Sequence, residues 1–226
     1  MKTWLRANKG FIAFLFLFGV FRTAVADWNP IPSASMRPSL LEGDVVFVNR
    51  LAFNVKVPLT DVIVARTGDP LRGDVVVFSS PTDGTRLIKR VLALPGDVIE
   101  MRNEKLIING NPASYTAAGE VMEHLGDGKF ALAQRFDETI DQRRQQIQVL
   151  PTVMARRNFG PMAIPADQFL MLGDNRDNSA DSRYIGLVPR NLLIGRAVRV
   201  LVSADIEGNW MPRGERFGKK LGAEAQ

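Results

Sequence analysis

The chain has 226 residues, of which 46% are hydrophobic and 23% are charged; this composition suits one globular domain of moderate size and argues against general disorder. The absence of cysteine excludes disulfides, thiolate nucleophiles and cysteine zinc sites, and the single histidine argues against a histidine metal cluster or a Ser-His-Asp triad. The net charge of +5 suits an anionic membrane surface, whereas the lack of a basic stripe with interleaved aromatic residues argues against a nucleic-acid partner.

The amino-terminal segment combines basic residues with an apolar run. Three basic residues precede the run from Phe11 to Phe21, and this order predicts a cytoplasmic amino terminus followed by an exported domain. The run is shorter than the roughly 20 apolar residues of a membrane span, and Ala-Val-Ala at residues 24–26 fits a signal-peptide cleavage pattern. If the span covers residues 10–26, with Arg22 reaching back to the interface, the segment is a short anchor. Anchor and cleavable signal remain alternatives, and both export the rest of the chain.

Two serines enclosed by prolines follow in the stretch from Ile31 to Leu40. Pro32 and Pro38 restrict φ and favour extended or turn conformations around them. If the backbone is extended, Ser33 and Ser35 lie on the same side of it. One hydroxyl could then attack a carbonyl while the other donates a hydrogen bond to it. A plain linker beside the membrane is the alternative for this stretch taken alone.

Beyond Leu40 the pattern is typical of short β-strands. Three Gly-Asp pairs each precede a Val-rich run, which predicts a turn that leads into a strand. The patterns predict strands over residues 45–48, 75–78, 86–94, 98–101, 105–109, 169–172 and 192–202.

The composition changes between about residues 111 and 159, and we interpret this region as an insertion or cap. Within it, residues 130–149 could form a helix or a long hairpin, and His124 is expected at the surface. The polar tail after Glu207 is expected to be loosely held. The predicted divisions are residues 1–9 (cytoplasmic), 10–26 (anchor), 27–110 and 160–207 (the two parts of a catalytic β-domain), 111–159 (insertion) and 208–226 (tail).

Lys89 lies within the strand predicted over residues 86–94. Strand parity places it on one face with Leu87, Val91 and Ala93, opposite a face that holds Ile88, Arg90, Leu92 and Leu94. Burial among apolar neighbours would lower the pKa of Lys89 and suit it to act as a base near neutral pH. The alternative is that the lysine extends along the strand to solvent.

A dense polar run at residues 173–183, Gly-Asp-Asn-Arg-Asp-Asn-Ser-Ala-Asp-Ser-Arg, follows an apolar strand. A solvated loop, a calcium loop and a catalytic support loop are the alternatives, although the spacing lacks the features of an EF-hand. In a support loop, Ser179 would hydrogen-bond the amine of Lys89. An ion pair between Asp181 and Arg183 would fix the backbone.

Five segments in this order together resemble the bacterial type I signal peptidases, which are membrane-bound leader peptidases with a Ser/Lys dyad. The matching segments are residues 31–40, 43–49, 72–78, 89–97 and 173–183. The resemblance implies a mainly β, signal-peptidase-like domain of short antiparallel strands with an inserted subdomain, preceded by one amino-terminal transmembrane helix. The sequence departs from the family pattern in two ways. It has a single apolar span where many members have two, and it has Ala34 where some relatives have glycine.

The resemblance also implies the residues of the site. Ser35 would be the nucleophile and Lys89 the general base, without metal or cofactor. The Ser33 hydroxyl and the Ser35 backbone N–H would form the oxyanion hole, and Ser179, Asp181 and Arg183 would support the dyad. Shallow apolar pockets for small substrate residues would be lined by Ile31, Pro32, Leu40, Leu87 and Ile88.

The function implied is that of a serine endopeptidase that removes signal peptides from exported preproteins, cutting after a small residue of the Ala-x-Ala type. Its partners would be preprotein signal peptides and membrane lipids. It would cross the inner (cytoplasmic) membrane once, with the catalytic domain on the periplasmic side, and this role favours a retained anchor. The alternatives are a specialised peptidase of the same fold, such as one that matures a conjugative pilin, and a non-catalytic exported β-domain that binds a partner.

Overall fold

The structure is a computed structural model that describes residues 4, 8–57, 60, 62–126, 128–222 and 224–225. Helix α1 spans Lys9–Ala24, and a short helix α2 spans Ser182–Ile185. The strands are β1 (Ala26–Pro30), β2 (Asp44–Asn49), β3 (Asn54–Lys56), β4 (Ile63–Arg66), β5 (Val75–Ser79), β6 (Arg86–Ala93), β7 (Val98–Arg102), β8 (Lys105–Ile108), β9 (Asn111–Pro112), β10 (Ser114–His124), β11 (Phe130–Ile140), β12 (Arg143–Val149), β13 (Phe159–Ala163), β14 (Gln168–Leu172), β15 (Val188–Pro189), β16 (Leu193–Ser203) and β17 (Glu224–Ala225).

A seven-stranded sheet in the order β1-β2-β16-β5-β6-β14-β15 forms the centre of the molecule. Its neighbouring strands are antiparallel. A second sheet has the order β13-β7-β8-β9, a third the order β10-β11-β12-β17, and β3 pairs with β4. The mainly β, antiparallel fold expected from the sequence is therefore confirmed.

One turn occurs three times and delivers strands β2, β5 and β7. In each, a leucine is followed two residues later by glycine and then aspartate, at residues 41–44, 71–74 and 94–97. The glycines have φ of 86°, 88° and 89°, a conformation that a side chain disfavours. Each aspartate donates its N–H to the leucine carbonyl and accepts the leucine N–H with its carboxylate. Each Gly-Asp pair in the sequence thus indicates a turn in which two hydrogen bonds join the leucine and the aspartate.

Helix α1 has 16 residues and ends before Ala26, which already belongs to strand β1. Its apolar side chains, including Phe11, Phe14 and Phe16, are largely exposed. Within the described part of the chain, no helix reaches the length and apolar character needed to cross a membrane. The helix is therefore shorter than the span predicted over residues 10–26.

The predicted insertion contains long, regular strands. Residues 130–149, for which a helix and a hairpin were both open, form the hairpin β11–β12. Strand β10 pairs along the other edge of β11 and carries His124, which is exposed as expected. The sheet packs a small apolar cluster of its own around Ala131, Ala133 and Leu150.

The expectation that the tail after Glu207 is loosely held is wrong. Arg216 is buried and makes a bidentate ion pair with Asp44 at the start of β2. Leu221 is 3% exposed and packs in the core cluster that contains Met36 and Leu40. Arg216 and Leu221 therefore anchor the tail to the central sheet, although the composition of the tail is mainly polar.

Candidate active site

The serine stretch begins as an extended segment and then tightens into a turn. Ser33 is extended, with φ −139° and ψ 153°, and residues 34–36 form one 3₁₀ turn. Both conformations that the prolines favour are therefore present, extended backbone at Ser33 and a turn at Ser35. The turn brings the two hydroxyls together, with the Oγ atoms of Ser33 and Ser35 3.4 Å apart. Met36 and Leu40 fix this loop because both side chains are fully buried in the core.

Strand β6 carries Lys89 into direct contact with this turn. Its Nζ lies 2.7 Å from Ser35 Oγ and 2.9 Å from the carbonyl oxygen of Ile88. Lys89 is only 2% exposed, so it does not extend to solvent. When the amine is protonated it donates to Ser35 Oγ; when it is neutral, the serine hydroxyl can donate to the amine.

Burial sets the protonation behaviour of this lysine. Removal of the ammonium from water lowers the pKa of Lys89 to about 8, against the opposing attraction of the Asp181 and Asp174 carboxylates. A lysine with this pKa has a substantial neutral fraction at mildly alkaline pH, and only the neutral form can accept a proton.

Strand parity around Lys89 holds over part of β6. Leu87 and Val91, on its face, pack in one apolar cluster, whereas Ile88 packs in another. Past Val91 the alternation fails: Ala93 joins a third cluster, and Leu94 returns to the cluster of Val91. The cause is a register shift in the pairing of β14 with β6.

The polar run at residues 173–183 is a structured loop tied to the end of β14. Asp181 pairs with Arg183 through both carboxylate oxygens, at 2.8 Å each, as the sequence predicted. Asp181 also accepts the backbone N–H of Gly173, and it caps α2 by accepting the N–H of Arg183. Ser182 Oγ accepts the N–H of Met171 in β14. These bonds fix the loop against the central sheet.

Ser179 does not make the hydrogen bond predicted for it. Its Oγ is buried and has no hydrogen-bond partner in the part of the chain that the structure describes, while the Lys89 amine contacts Ser35 and Ile88 instead. Ser179 does lie beside the nucleophile turn. A Cβ on Gly173 would stand 2.4 Å from both Ser179 Oγ and the Ser35 carbonyl oxygen, so only glycine fits between them.

Three carboxylates of the run, which a calcium site would require, are each paired with an arginine. Asp174 pairs with Arg90, Asp177 with Arg157 and Asp181 with Arg183. Oxygens that are already neutralised by guanidinium groups are poor ligands for a hard cation. The observed pairing therefore favours a support loop.

Arg90 and Asn175 contribute to the site although sequence reasoning assigned them no role. Arg90, on the strand face opposite Lys89, makes a bidentate pair with Asp174 at 2.8 and 2.7 Å. Asn175 donates its backbone N–H to the Ser35 carbonyl and its side-chain amide to the Ala34 carbonyl, both at 3.1 Å. The position of Arg90 directly after Lys89 could have indicated its role in the site, whereas no feature of the neighbouring sequence indicates a role for Asn175.

The residues expected to line substrate pockets differ in accessibility. Pro32 is exposed, and Leu87 and Ile88 are half-buried beside Lys89. Ile31 and Leu40 are buried core residues, so in this conformation their side chains do not face an open surface. An open apolar surface at the site is therefore offered by Pro32, Leu87 and Ile88.

Comparison with known proteins places these residues in a family context. Residues 2–202 match the sequence profile described as signal peptidase, peptidase S26. Signal peptidase I of Pseudomonas fluorescens is 35% identical over 208 residues, which cover 87% of this chain and 72% of that protein. Signal peptidase I of Pseudomonas aeruginosa is 35% identical over 227 residues, which cover 93% of this chain and 77% of that protein.

A solved structure is also similar in part. The crystal structure of a signal peptidase I from Enterococcus faecalis shares 28% sequence identity and covers 57% of this chain and 96% of its own. The TM-score is 0.34, so the assignment rests on the sequence matches.

Proposed function

The chain belongs to the signal peptidase family, peptidase S26, and we propose that it is a serine endopeptidase that removes signal peptides from exported preproteins. The observation that carries the proposal is the contact of 2.7 Å between Lys89 Nζ and Ser35 Oγ in a buried site. A serine hydroxyl becomes an effective nucleophile when a neighbouring base takes its proton. A neutral, desolvated lysine is such a base.

The proposed reaction has an acylation and a deacylation step, and Lys89 accepts and then returns one proton in each. Ser35 Oγ attacks the carbonyl carbon of the scissile bond while neutral Lys89 takes the hydroxyl proton. The resulting ammonium gives that proton to the leaving amine, and the acyl group stays on Ser35. Neutral Lys89 next takes a proton from water, whose oxygen attacks the ester carbon. The bond between the acyl group and Ser35 Oγ then breaks, and the ammonium returns the proton to Oγ, which restores both residues.

Ser33 is proposed as one oxyanion donor, with the backbone N–H of Ser35 as the other. Ser33 is exposed, and the one hydrogen-bond contact of its hydroxyl with a described residue is long, 3.4 Å to Ser35 Oγ. A bond of that length is weak and easily redirected. The hydroxyl is therefore free to turn toward the oxygen of a tetrahedral intermediate, where charge develops during the reaction.

Substrate selection is proposed to involve the open apolar residues beside the dyad. Pro32, Leu87 and Ile88 offer shallow contact surface for a small side chain, which fits cleavage after an Ala-x-Ala sequence. An extended substrate would add main-chain hydrogen bonds as in strand addition. Ile31 and Leu40 would shape this surface from beneath.

Helix α1 is proposed to belong to a retained membrane anchor on a protein of the inner membrane, with the catalytic domain on the periplasmic side. Basic residues precede the apolar run, an arrangement that keeps the amino terminus in the cytoplasm. The exposed phenylalanines of α1 would be covered by lipid tails. At its carboxyl end Arg22 lies over the Trp28 ring at 4.3 Å and pairs with Asp27, a set suited to the membrane interface.

The proposed function is tested by cleavage of a preprotein with an Ala-x-Ala site in detergent micelles. We expect the wild type to release the mature protein by cutting after the second alanine and the Ser35→Ala variant to release none. Mass spectrometry of the products gives the cleavage site, and the mass of the enzyme itself reports whether Met1 is retained. Absence of cleavage by a folded wild type would favour a specialised substrate or a binding role.

The pH dependence follows from the lowered pKa of Lys89. Because the base must be neutral, kcat/KM should rise about tenfold per pH unit below pH 8 and level off above the pKa of about 8. The measurement is initial-rate kinetics from pH 6 to 9.5 with the stability of the enzyme checked at each pH. A rate that does not change across this range would contradict Lys89 as the base, and a rate that still rises about tenfold per unit at pH 9.5 would contradict its lowered pKa.

A further inference from the structure

The β11–β12 hairpin of the insertion contacts the loop that supports the dyad, residues 173–183. Gln148 in β12 donates its backbone N–H to the Asp174 carbonyl and accepts the N–H of Arg176, both at 2.9 Å. These two bonds form an isolated parallel bridge between the insertion and the support loop. Asp177, the residue after Arg176, accepts the backbone N–H of Leu150 with its carboxylate at 2.8 Å. The loop is thus bound along residues 174–177 by the insertion.

A buried ion pair reinforces the same contact. The carboxylate of Glu138, in β11, accepts a hydrogen bond from each terminal nitrogen of Arg176, one of them at 2.7 Å. Glu138 is 0% exposed and Arg176 is 1% exposed. Gln145 Nε2 also donates to Glu138, at 2.7 Å, and the Tyr115 side chain forms a further hydrogen bond with the carboxylate. The guanidinium and its hydrogen bonds keep the pKa of Glu138 below its ordinary value despite burial.

The contact continues from the loop to the nucleophile. Asn175, the residue before Arg176, donates to the carbonyls of both Ala34 and Ser35. Those carbonyls belong to the 3₁₀ turn that presents Ser35 Oγ to Lys89. An unbroken series of hydrogen bonds and adjacent residues therefore links Glu138 in the insertion to the reacting hydroxyl.

The insertion also contacts the far end of the serine loop. Glu123, in β10, forms an ion pair with Arg37, the residue after Met36. Arg37 also pairs with Glu42, at 2.8 Å, so it links the insertion to the segment between the serine turn and β2. The inserted sheet thus reaches the nucleophile turn indirectly from Glu138 and contacts the residue after the turn through Glu123.

A buried ion pair is weak grounds for net stability, because the cost of desolvating two charges offsets their attraction. Its bidentate geometry instead fixes the position of whatever is attached to it. We propose that Glu138 is a positioning residue for catalysis: through Arg176 and Asn175, the insertion holds Ser35 at bonding distance from Lys89. This inference rests on the proposed role of Ser35 as the nucleophile.

The test replaces the pair by neutral residues of similar length, in Glu138→Met/Arg176→Met, so that no lone charge stays buried. We expect a folded protein with a Tm about 5–15 °C below the wild type, because removal of the ion pair itself is often neutral but Gln145 and Tyr115 each lose a hydrogen-bond partner. We expect kcat to fall about 10- to 100-fold, because small misplacements of reacting groups have effects of this size. KM should change less than about threefold, because the substrate surface does not include the pair.

Arg190→Met is the matched control. Arg190 is also a buried arginine, but its guanidinium bonds to Asp69 and to the carbonyls of Phe53 and Gly68, away from the dyad. It should keep the kcat of the wild type even if its Tm falls. A double variant with kcat within about twofold of the wild type, or with only KM raised, overturns the positioning role. If the double variant does not fold, Glu138→Gln, which keeps the side-chain volume, is tested with the same two outcomes.

A substrate-free measurement separates this inference from the proposed function. If the wild type does not cleave preproteins, the proposed function fails, and the titration of Lys89 followed by NMR of its side chain decides the inference. A titration midpoint displaced in the double variant, and unchanged in Arg190→Met, supports the positioning of the Ser35–Lys89 pair by Glu138. An unchanged midpoint in the double variant overturns it.

Discussion

Replacement of Lys89 by alanine should lower kcat about 100- to 10,000-fold, the range expected for loss of a positioned general base. In free energy this is about 3–5 kcal/mol of transition-state stabilisation. The reason is geometric: Nζ lies 2.7 Å from Ser35 Oγ, and no other described base lies that close to the hydroxyl. The fold should persist, because the variant removes a charge whose burial is already unfavourable, as the lowered pKa indicates.

Two further variants make the test specific. Lys89→Arg should be about as inactive as the alanine variant, because a guanidinium stays protonated and cannot accept the serine proton. Lys56→Ala is the matched control: Lys56 is also a buried lysine, with Nζ 3.2 Å from the Asn191 carbonyl. It should keep the activity of the wild type. Single-turnover cleavage and thermal melts of all four proteins provide the comparison, and appreciable turnover by purified Lys89→Ala would contradict the dyad.

The central part of the site could be predicted because its information is local. Two serines two residues apart need only one turn to bring their hydroxyls together, and a lysine among alternating apolar residues is buried if the strand forms. Asp181 and Arg183 are likewise close enough in sequence to pair within one loop. For these residues, strand parity and short-range spacing were sufficient, together with the family resemblance.

The remainder depends on contacts between distant parts of the chain. Arg216 reaches Asp44 across 172 positions, and Arg176 reaches Glu138 across 38. No periodicity in one sequence reveals such partners, so the tail was expected to be loose and the insertion had no assigned role. The bulge in β6 beyond Val91 also depends on a distant part of the chain. The pairing of β6 with β14, and not the sequence of β6 itself, determines where its side chains stop alternating between the two faces.

The orphaned hydroxyl of Ser179 has a consistent place in this arrangement. Its Oγ is buried without a partner, beside the Ser35 carbonyl across Gly173. A buried polar group without a partner is unfavourable, and such groups are concentrated at functional sites. The role expected of Ser179, as a hydrogen-bond partner of the Lys89 amine, stays a prediction.

Replacement of Ser33 by alanine should lower kcat about 100- to 1,000-fold, the effect usually seen when one oxyanion donor is removed. Ser33 is exposed, and among the described residues its hydroxyl has one hydrogen-bond contact, with Ser35 Oγ at 3.4 Å, so its loss leaves no buried group unpaired. The Tm should therefore be unchanged, and KM should change little, because the donor acts on charge that develops only in the transition state. This combination distinguishes an oxyanion donor from a residue that shapes the fold or binds the substrate.

Ser33→Thr and Ser39→Ala complete the comparison. Threonine keeps a hydroxyl and tolerates the extended φ and ψ of residue 33, so it should recover much of the lost kcat. Ser39, in the same loop, bonds through its Oγ to Arg90 rather than toward Ser35, and its alanine variant should keep kcat near the wild-type value. Equal kcat for Ser33→Ala and the wild type would remove Ser33 from the oxyanion hole and leave charge stabilisation to backbone N–H groups alone. Such a result would still be compatible with Ser35 and Lys89 as the reacting pair, since neither of their roles depends on that hydroxyl.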